Sequence, residues 1–323
     1  MSKRIVILGG GMSGLVAAWA LRDLEPVLIE GGPCIGGDFA RGGLKLLRST
    51  PYVGNMLLDL GCRYSPANPR GGILYRGSVW HHPGLLRSMD ADQRYAIQSS
   101  HWSKTRGHPT VDPKCMDDPM GDGPQESLNF DFGEFKLGVS KMMGERIMLS
   151  NKVIAMTGDS VITDHYGSRR TVPFDYAIIT LPRWLASGIV PFTLEPTKPA
   201  TLVIVTCENM SDMDERRQWD YIYTPELLAV HRVVLSKHGA QLEVSSKHPV
   251  GNLLKDIAAL GEIGYKIEAK RMHTIPGHLE FDSFPATVPE NMLLLGRYAE
   301  WNSRALTHTS LERVMAWRAE RGI

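Results

Sequence analysis

Ile5-Val6-Ile7-Leu8-Gly9-Gly10-Gly11-Met12-Ser13-Gly14 is the stretch that decides the fold. Four aliphatic residues in a row, three of them β-branched, predict a strand buried on both faces of a parallel sheet. The strand runs directly into G-x-G-x-x-G at Gly9, Gly11 and Gly14. Leu15 to Leu21 are good helix formers, and Val27-Leu28-Ile29 forms a second short strand ending at Glu30. Each part of such a βαβ unit has a physical task. Gly9 permits the tight turn, Gly11 lets backbone approach a pyrophosphate, and Gly14 lets the helix pack close to the sheet. The helix N-terminus offers N–H groups and positive potential to phosphate. Glu30, twenty-one residues after Gly9, is placed to accept hydrogen bonds from a ribose. A glycine-rich turn with no ligand would need the glycines alone, not the ordered strand, helix, second strand and acid.

The remainder of the composition narrows the class. The chain has 323 residues, 43% of them hydrophobic, enough for two domains or one elaborated domain. Thirty-six Lys and Arg against 35 Asp and Glu leave a net charge of +1, which argues against a nucleic-acid coat or a disordered tail. Cys34, Cys62, Cys115 and Cys207 lie far apart and form no C-x-x-C pair, so they read as reduced thiols. Lys3-Arg4 before an apolar run imitates a secretion signal. The fixed glycine offsets and the stop at Arg22 speak against a signal or a membrane span of about 20 residues. The expectation is a cytoplasmic protein.

After Glu30 the chain reads Gly31-Gly32-Pro33-Cys34-Ile35-Gly36-Gly37-Asp38-Phe39. This E-x5-G-G continuation resembles the extended dinucleotide motif of the flavoprotein superfamily that contains monoamine oxidases, protoporphyrinogen oxidase and UDP-galactopyranose mutase. One departure is Leu24-Glu25-Pro26, where the family carries a glycine before the second strand. Three later places are similar as well: Leu58-Asp59-Leu60-Gly61, which in the family follows a short hairpin, Phe174 to Pro182, and Asn291 to Trp301. The resemblance implies an α/β fold, a Rossmann-like FAD-binding domain with an inserted α+β substrate domain. It places Gly9, Gly11, Met12, Ser13, Gly14, Glu30, Gly31, Gly36, Gly37, Asp38, Val153, Gly296 and Arg297 at FAD. A closing helix over about Thr309 to Glu320, capped by Thr307 or Thr309, would aim its N-terminus at the flavin.

The expected FAD domain takes residues 1–62, 145–200 and 275–323, and the substrate domain takes 63–144 and 201–274. Strand-like runs at Thr201 to Val205, Val230 to Leu235 and Gln241 to Ser245 would build a sheet over the flavin. From Arg41 to Lys114 eleven basic residues face four acids, and from Cys115 to Ser150 three face seven. The basic cluster suggests an anionic, nucleotide-like substrate, with Trp80 and Trp102 to stack on a ring. Pairing with the following acidic stretch is the plainer alternative. His81-His82 point to opposite faces of a strand and have no third ligand, so no metal is expected. His231-Arg232 resemble an element that lies near the flavin in mutase-like members. With Tyr298 and Trp301 they are the candidate catalytic residues.

These readings favour an FAD-dependent oxidoreductase that oxidises a carbon next to nitrogen. The rival is a flavin-dependent mutase or lyase without net oxidation, including a phage-type lyase acting on amino-acid-modified thymine in DNA. A flavin-binding scaffold without catalysis is the third class. A membrane partner is not expected, a nucleic-acid partner is not indicated by the net charge, and oligomeric state is left open.

Overall fold

A computed structural model describes residues 3–40, 46–106, 126–197, 201–209, 219–236, 239–245, 250–276, 286–300 and 306–323. Its first sheet is parallel throughout. Ile5–Leu8 is central, flanked by Tyr176–Ile179 on one side and Val27–Ile29 on the other, with Met292–Leu294 and Ile147–Met148 outermost. Both faces of the central strand are covered, as its unbroken aliphatic run requires. Ile5 and Ile7 pack with helices Met12–Ala20, Phe132–Met143 and Thr307–Glu320. Val6 and Leu8 face a three-stranded antiparallel meander, Lys152–Met156, Ser160–His165 and Ser168–Pro173, through Val153, Met156 and Val161. Each buried aliphatic side chain here contributes about 2 kcal/mol.

The second large sheet is mixed and seven-stranded. It takes Gly71–Tyr75 and Ser78–His81 from early in the chain, and Thr201–Asn209, Tyr221–Tyr223, Val230–Ser236, Gly239–Ser245 and Ile267–Pro276 from later. Helix Val250–Glu262 covers one face with Leu253 and Leu260. Met89 and Ile97, flanking and within helix Ala91–Arg106, join Ile73 in a smaller cluster that also holds Tyr223. A small antiparallel sheet, Leu46–Arg48, Tyr64–Ala67 and Ser127–Phe130, packs into the first core through Leu47, Leu128 and Phe130.

Several local expectations change. Residues 126–143 pack with the first core, because Phe130, Phe132, Phe135 and Val139 are buried against the Met12–Ala20 helix. A boundary at residue 144 therefore does not coincide with the packing. Leu58-Asp59 do not follow a hairpin; they close helix Pro51–Asp59, capped by Thr50, and Gly61 makes the left-handed exit. The closing helix begins at Thr307, with Leu306 as its cap. Thr309 accepts the Leu306 N–H on Oγ1 at 2.8 Å, so it serves from the third helical position. Glu25 adopts φ 51° before Pro26, a left-handed conformation that strains an L residue. Among the described residues no helix is long and apolar enough to cross a membrane.

Candidate functional site

The glycine loop, the Glu30 turn and the Gly296 turn converge at the carboxyl ends of the parallel strands, where ligands bind in open α/β sheets. Gly9 leaves the first strand at φ 105° with its N–H donated to Ile29 O at 2.8 Å. A Cβ on Gly14 would lie 1.9 Å from Gly9 O, so the helix can approach only as glycine. Gly11 is different: a Cβ there meets nothing within 4 Å. Helix Met12–Ala20 carries no side-chain cap on Gly11 and no acid in its first turn. The N–H groups of Met12, Ser13 and Gly14 thus have no intrahelical acceptor. An uncapped helix end beside an unfilled glycine is a cradle suited to phosphate.

Glu30, Gly36 and Gly37 lie beside this loop. Glu30 accepts Gly10 N–H on Oε2 and Gly32 N–H on Oε1, both at 2.6 Å. Each oxygen keeps a second lone pair with which it could accept a ribose hydroxyl. Gly36 donates its N–H to Gly10 O at 2.7 Å, and a Cβ on Gly37 would sit 3.3 Å from Gly11 Cα. Gly31 lies against Lys152 Cα, while the neighbouring Val153 turns its side chain into the second core, leaving only its backbone near the site. A Cβ on Gly296 would fall 2.3 Å from Ser13 Oγ, and the Gly296 N–H is donated to Glu300 Oε1 at 2.8 Å. Gly296 therefore acts through its missing side chain rather than through its amide. The Asp38 side chain and all of Trp301 lie outside the described residues.

Three residues that the sequence did not single out hold the arrangement. Thr180 donates Oγ1–H to Leu8 O at 2.8 Å and lies 3.1 Å from Gly9 O, pinning the end of the strand. Arg183, 2% exposed, donates from Nε to Ala299 O and from one terminal nitrogen to Glu300 O, both at 3.0 Å. It fixes the short helix Arg297–Glu300 and so the half-buried Arg297 and Tyr298, whose ring meets Trp184 edge-on at 5.7 Å. Glu300 is also ion-paired with Arg313; burial raises its pKa against these partners. The signal for Thr180 and Arg183 was their place in and directly after the Phe174 to Pro182 strand.

His231 and Arg232 stand in the large sheet, at a bulge opposite Val244 and Glu243. Arg232 grips Glu243 with two hydrogen bonds, of 2.8 and 2.7 Å, and His231 Nε2 is 3.3 Å from the same carboxylate. Burial alone would raise the Glu243 pKa, but Arg232 and His231 outweigh it and hold the group ionised well below the usual range. Burial also pushes the His231 pKa down, against the opposing pull of Glu243. Beside them Lys104, 5% exposed, donates to Thr224 O and Val230 O, and burial pulls its pKa down to about 7.

In the basic stretch Arg63 pairs with Glu134 at 2.6 Å, the partner from the following acidic segment that the plainer reading foresaw. Arg70 pairs with Asp220 at 3.7 Å. Trp80 is half exposed, and the Trp102 side chain lies outside the described residues. His81 is exposed while His82 is fully buried against Tyr223, and among the described residues neither of its ring nitrogens has a hydrogen-bond partner. Among the described residues no group of three or more His, Cys, Asp or Glu is placed to hold a metal.

Burial pushes the His82 pKa down to about 4. Below about pH 6.5 the unfolded chain binds a proton that the folded chain refuses, so the stability present above that pH is lost as pH falls towards 4. Between pH 7 and 5 the loss should be about 2 kcal/mol from this residue. Urea unfolding of His82→Leu should lack that component; an unchanged pH slope would mean the imidazole is hydrated.

The sequence profile of the NAD(P)-binding Rossmann-like domain matches residues 7–71. No sequence among the curated proteins matches the chain. Solved structures do. A reduced UDP-galactopyranose mutase superposes with a TM-score of 0.71 at 14% identity, over 100% of this chain and 94% of that one. Putrescine oxidase bound to putrescine gives 0.60 at 11% identity, over 99% of each chain. A protein assigned as a protoporphyrinogen oxidase from an Exiguobacterium species gives 0.62 at 12% identity, again over 99% of each. At such identities the likeness is one of fold. The chain thus opens with a Rossmann-like dinucleotide-binding domain and has, over nearly its whole length, the fold shared by UDP-galactopyranose mutase, putrescine oxidase and protoporphyrinogen oxidase.

Proposed function

We propose that the protein is an FAD-dependent oxidoreductase that oxidises a carbon next to nitrogen on an anionic or nucleotide-like substrate. The observation that carries the reading is the convergence of Gly11, Gly37 and Gly296 around an uncapped helix end, with the Glu30 carboxylate beside it. A dinucleotide needs such a surface: no side chain where the pyrophosphate passes, and fixed acceptors where the ribose lies. Bound FAD would supply the redox chemistry by accepting a hydride from the substrate carbon. The chain's own residues bind, orient and exclude water. The Met12–Ala20 helix end and Gly11 take phosphate, Glu30 takes ribose hydroxyls, and the Gly296–Arg297 turn held by Arg183 carries Tyr298 to shape the ring's surroundings. Arg232 keeps 31% of its side chain exposed and could meet an anionic substrate, whereas His231 at 1% supports it from within.

A mutase reaction without net oxidation is the second reading, favoured by the TM-score of 0.71 to UDP-galactopyranose mutase. The purified protein should be yellow, or take up FAD and become so. Anaerobic mixing with di- and polyamines against nucleoside diphosphate sugars then separates the readings, by whether an amine bleaches the flavin. Bleaching by amines supports oxidation; turnover of the nucleotide sugar only after prior reduction supports the mutase. A protein that takes up no FAD defeats both. Glu30→Ala should weaken FAD binding about tenfold or more, from two lost charge-assisted acceptors, and equal retention would show that the carboxylate does not reach the ribose.

A further inference from the structure

The second glycine turn is held between two surfaces. Gly37 faces Gly11 of the first loop, and Gly36 faces Lys136 of helix Phe132–Met143, whose Cδ lies 3.0 Å from the position of a Gly36 Cβ. Lys136 is half buried, and its Nζ lies 5.4 Å from the Phe132 ring centroid. Phe132 in turn contacts Phe39, just beyond Gly37, at 4.9 Å and stacks on Phe135 at 6.1 Å. The helix is thereby fixed against the turn, and the lysine stem with it. Among the described residues no carboxylate forms an ion pair with Lys136. A partly buried lysine with no ion-paired carboxylate among the described residues, beside a loop suited to phosphate, is placed to meet an anionic ligand.

We infer that Lys136 is a phosphate-binding residue of the dinucleotide site, facing the N-terminus of helix Met12–Ala20 across the Gly36–Gly37 turn. The inference rests on the dinucleotide reading above and adds to it a point charge from more than a hundred residues along the chain. A helix end and backbone amides give partial charges; a lysine supplies a full one that salt can screen. The aromatic contact alone would also explain where the side chain lies, but it predicts no dependence on phosphate.

Binding of ADP and of adenosine to the apoprotein separates these cases. Lys136→Gln should weaken ADP and FAD binding about tenfold at low ionic strength and leave adenosine unchanged, with the deficit shrinking as salt rises. Lys136→Arg should stay within about threefold of the parent, since it keeps the charge. Thermal unfolding of the ligand-free variants should match the parent, which keeps a folding defect from being read as lost contact. Equal ADP affinity of the parent and Lys136→Gln at low salt would overturn the role of Lys136 alone. A parent that binds neither ADP nor FAD would overturn the dinucleotide reading beneath it.

Discussion

Gly14→Ala should strongly destabilise the fold, whereas the same substitution at Gly11 should leave the fold intact and abolish dinucleotide binding. The added methyl at position 14 would sit 1.9 Å from Gly9 O, far inside van der Waals contact. That oxygen has nowhere to go. Thr180 Oγ1 lies 3.1 Å from it, and the Gly9 N–H is tied to Ile29 O, so the peptide groups on both sides of Gly9 are anchored by neighbouring segments. Relief requires moving the Met12–Ala20 helix off the sheet and opening the core at Leu15, Ala18 and Trp19, all at most 5% exposed. Such overpacking should cost about 3–5 kcal/mol, a large part of a typical total of 5–15. Circular dichroism during heating should show a midpoint lowered by about 10 °C or an insoluble product. At Gly11 the backbone has φ −71° and the methyl enters open space, so the melting temperature should not move. Only a ligand passing there would notice the change. A folded, stable Gly14→Ala protein would refute the loop geometry, and a Gly11→Ala protein that binds FAD normally would show that no phosphate crosses that glycine.

Glu243→Ala should be the most damaging single change in the large sheet. Glu243 is 2% exposed and is the shared partner of Arg232 and His231. Removing it strands a guanidinium and leaves His231 Nε2 without this acceptor. A broken buried pair typically costs about 3–5 kcal/mol, and the partial exposure of Arg232 should bring this nearer 3. The acid dependence should change too. A carboxylate held below its usual range stabilises the folded chain above its unfolded pKa of about 4.3, and that stability is lost as pH falls through the lower folded value. Denaturant unfolding at pH 7 and pH 4 should therefore show the Glu243→Ala deficit shrinking at the lower pH. The double change Glu243→Gln with Arg232→Met should recover most of the loss, because it removes both charges together. Failure of the double variant to recover would mean that the pair orders the bulge at His231 rather than merely neutralising itself.

Much of the first domain was legible in one dimension because its signals are local. An unbroken aliphatic run needs two covered faces, and Ile5 to Leu8 obtain them from helices on one side and a meander on the other. Glycine offsets report turn geometry directly, since only glycine fits beside Gly9 O or adopts φ 95° against Ser13. The strands at Thr201–Asn209, Val230–Ser236 and Gly239–Ser245 were visible for the same reason, as β-branched and alternating runs. Helix Phe132–Met143 was harder to assign. Its composition did not reveal which core it would join, and the acid-rich stretch around it pointed towards the insertion.

What the sequence determined by itself is the glycine loop, the acid that follows it and the parallel order of strand, helix and strand, because each depends on neighbours within a few turns of chain. The tertiary structure alone decided which distant side chains complete them. Thr180 meets Gly9, Arg183 holds Ala299, Lys136 faces Gly36, and Glu243 binds both His231 and Arg232. No periodicity or spacing encodes those meetings. They arise where crossovers bring separate strands and helices into register, and their energies depend on the burial that only packing creates.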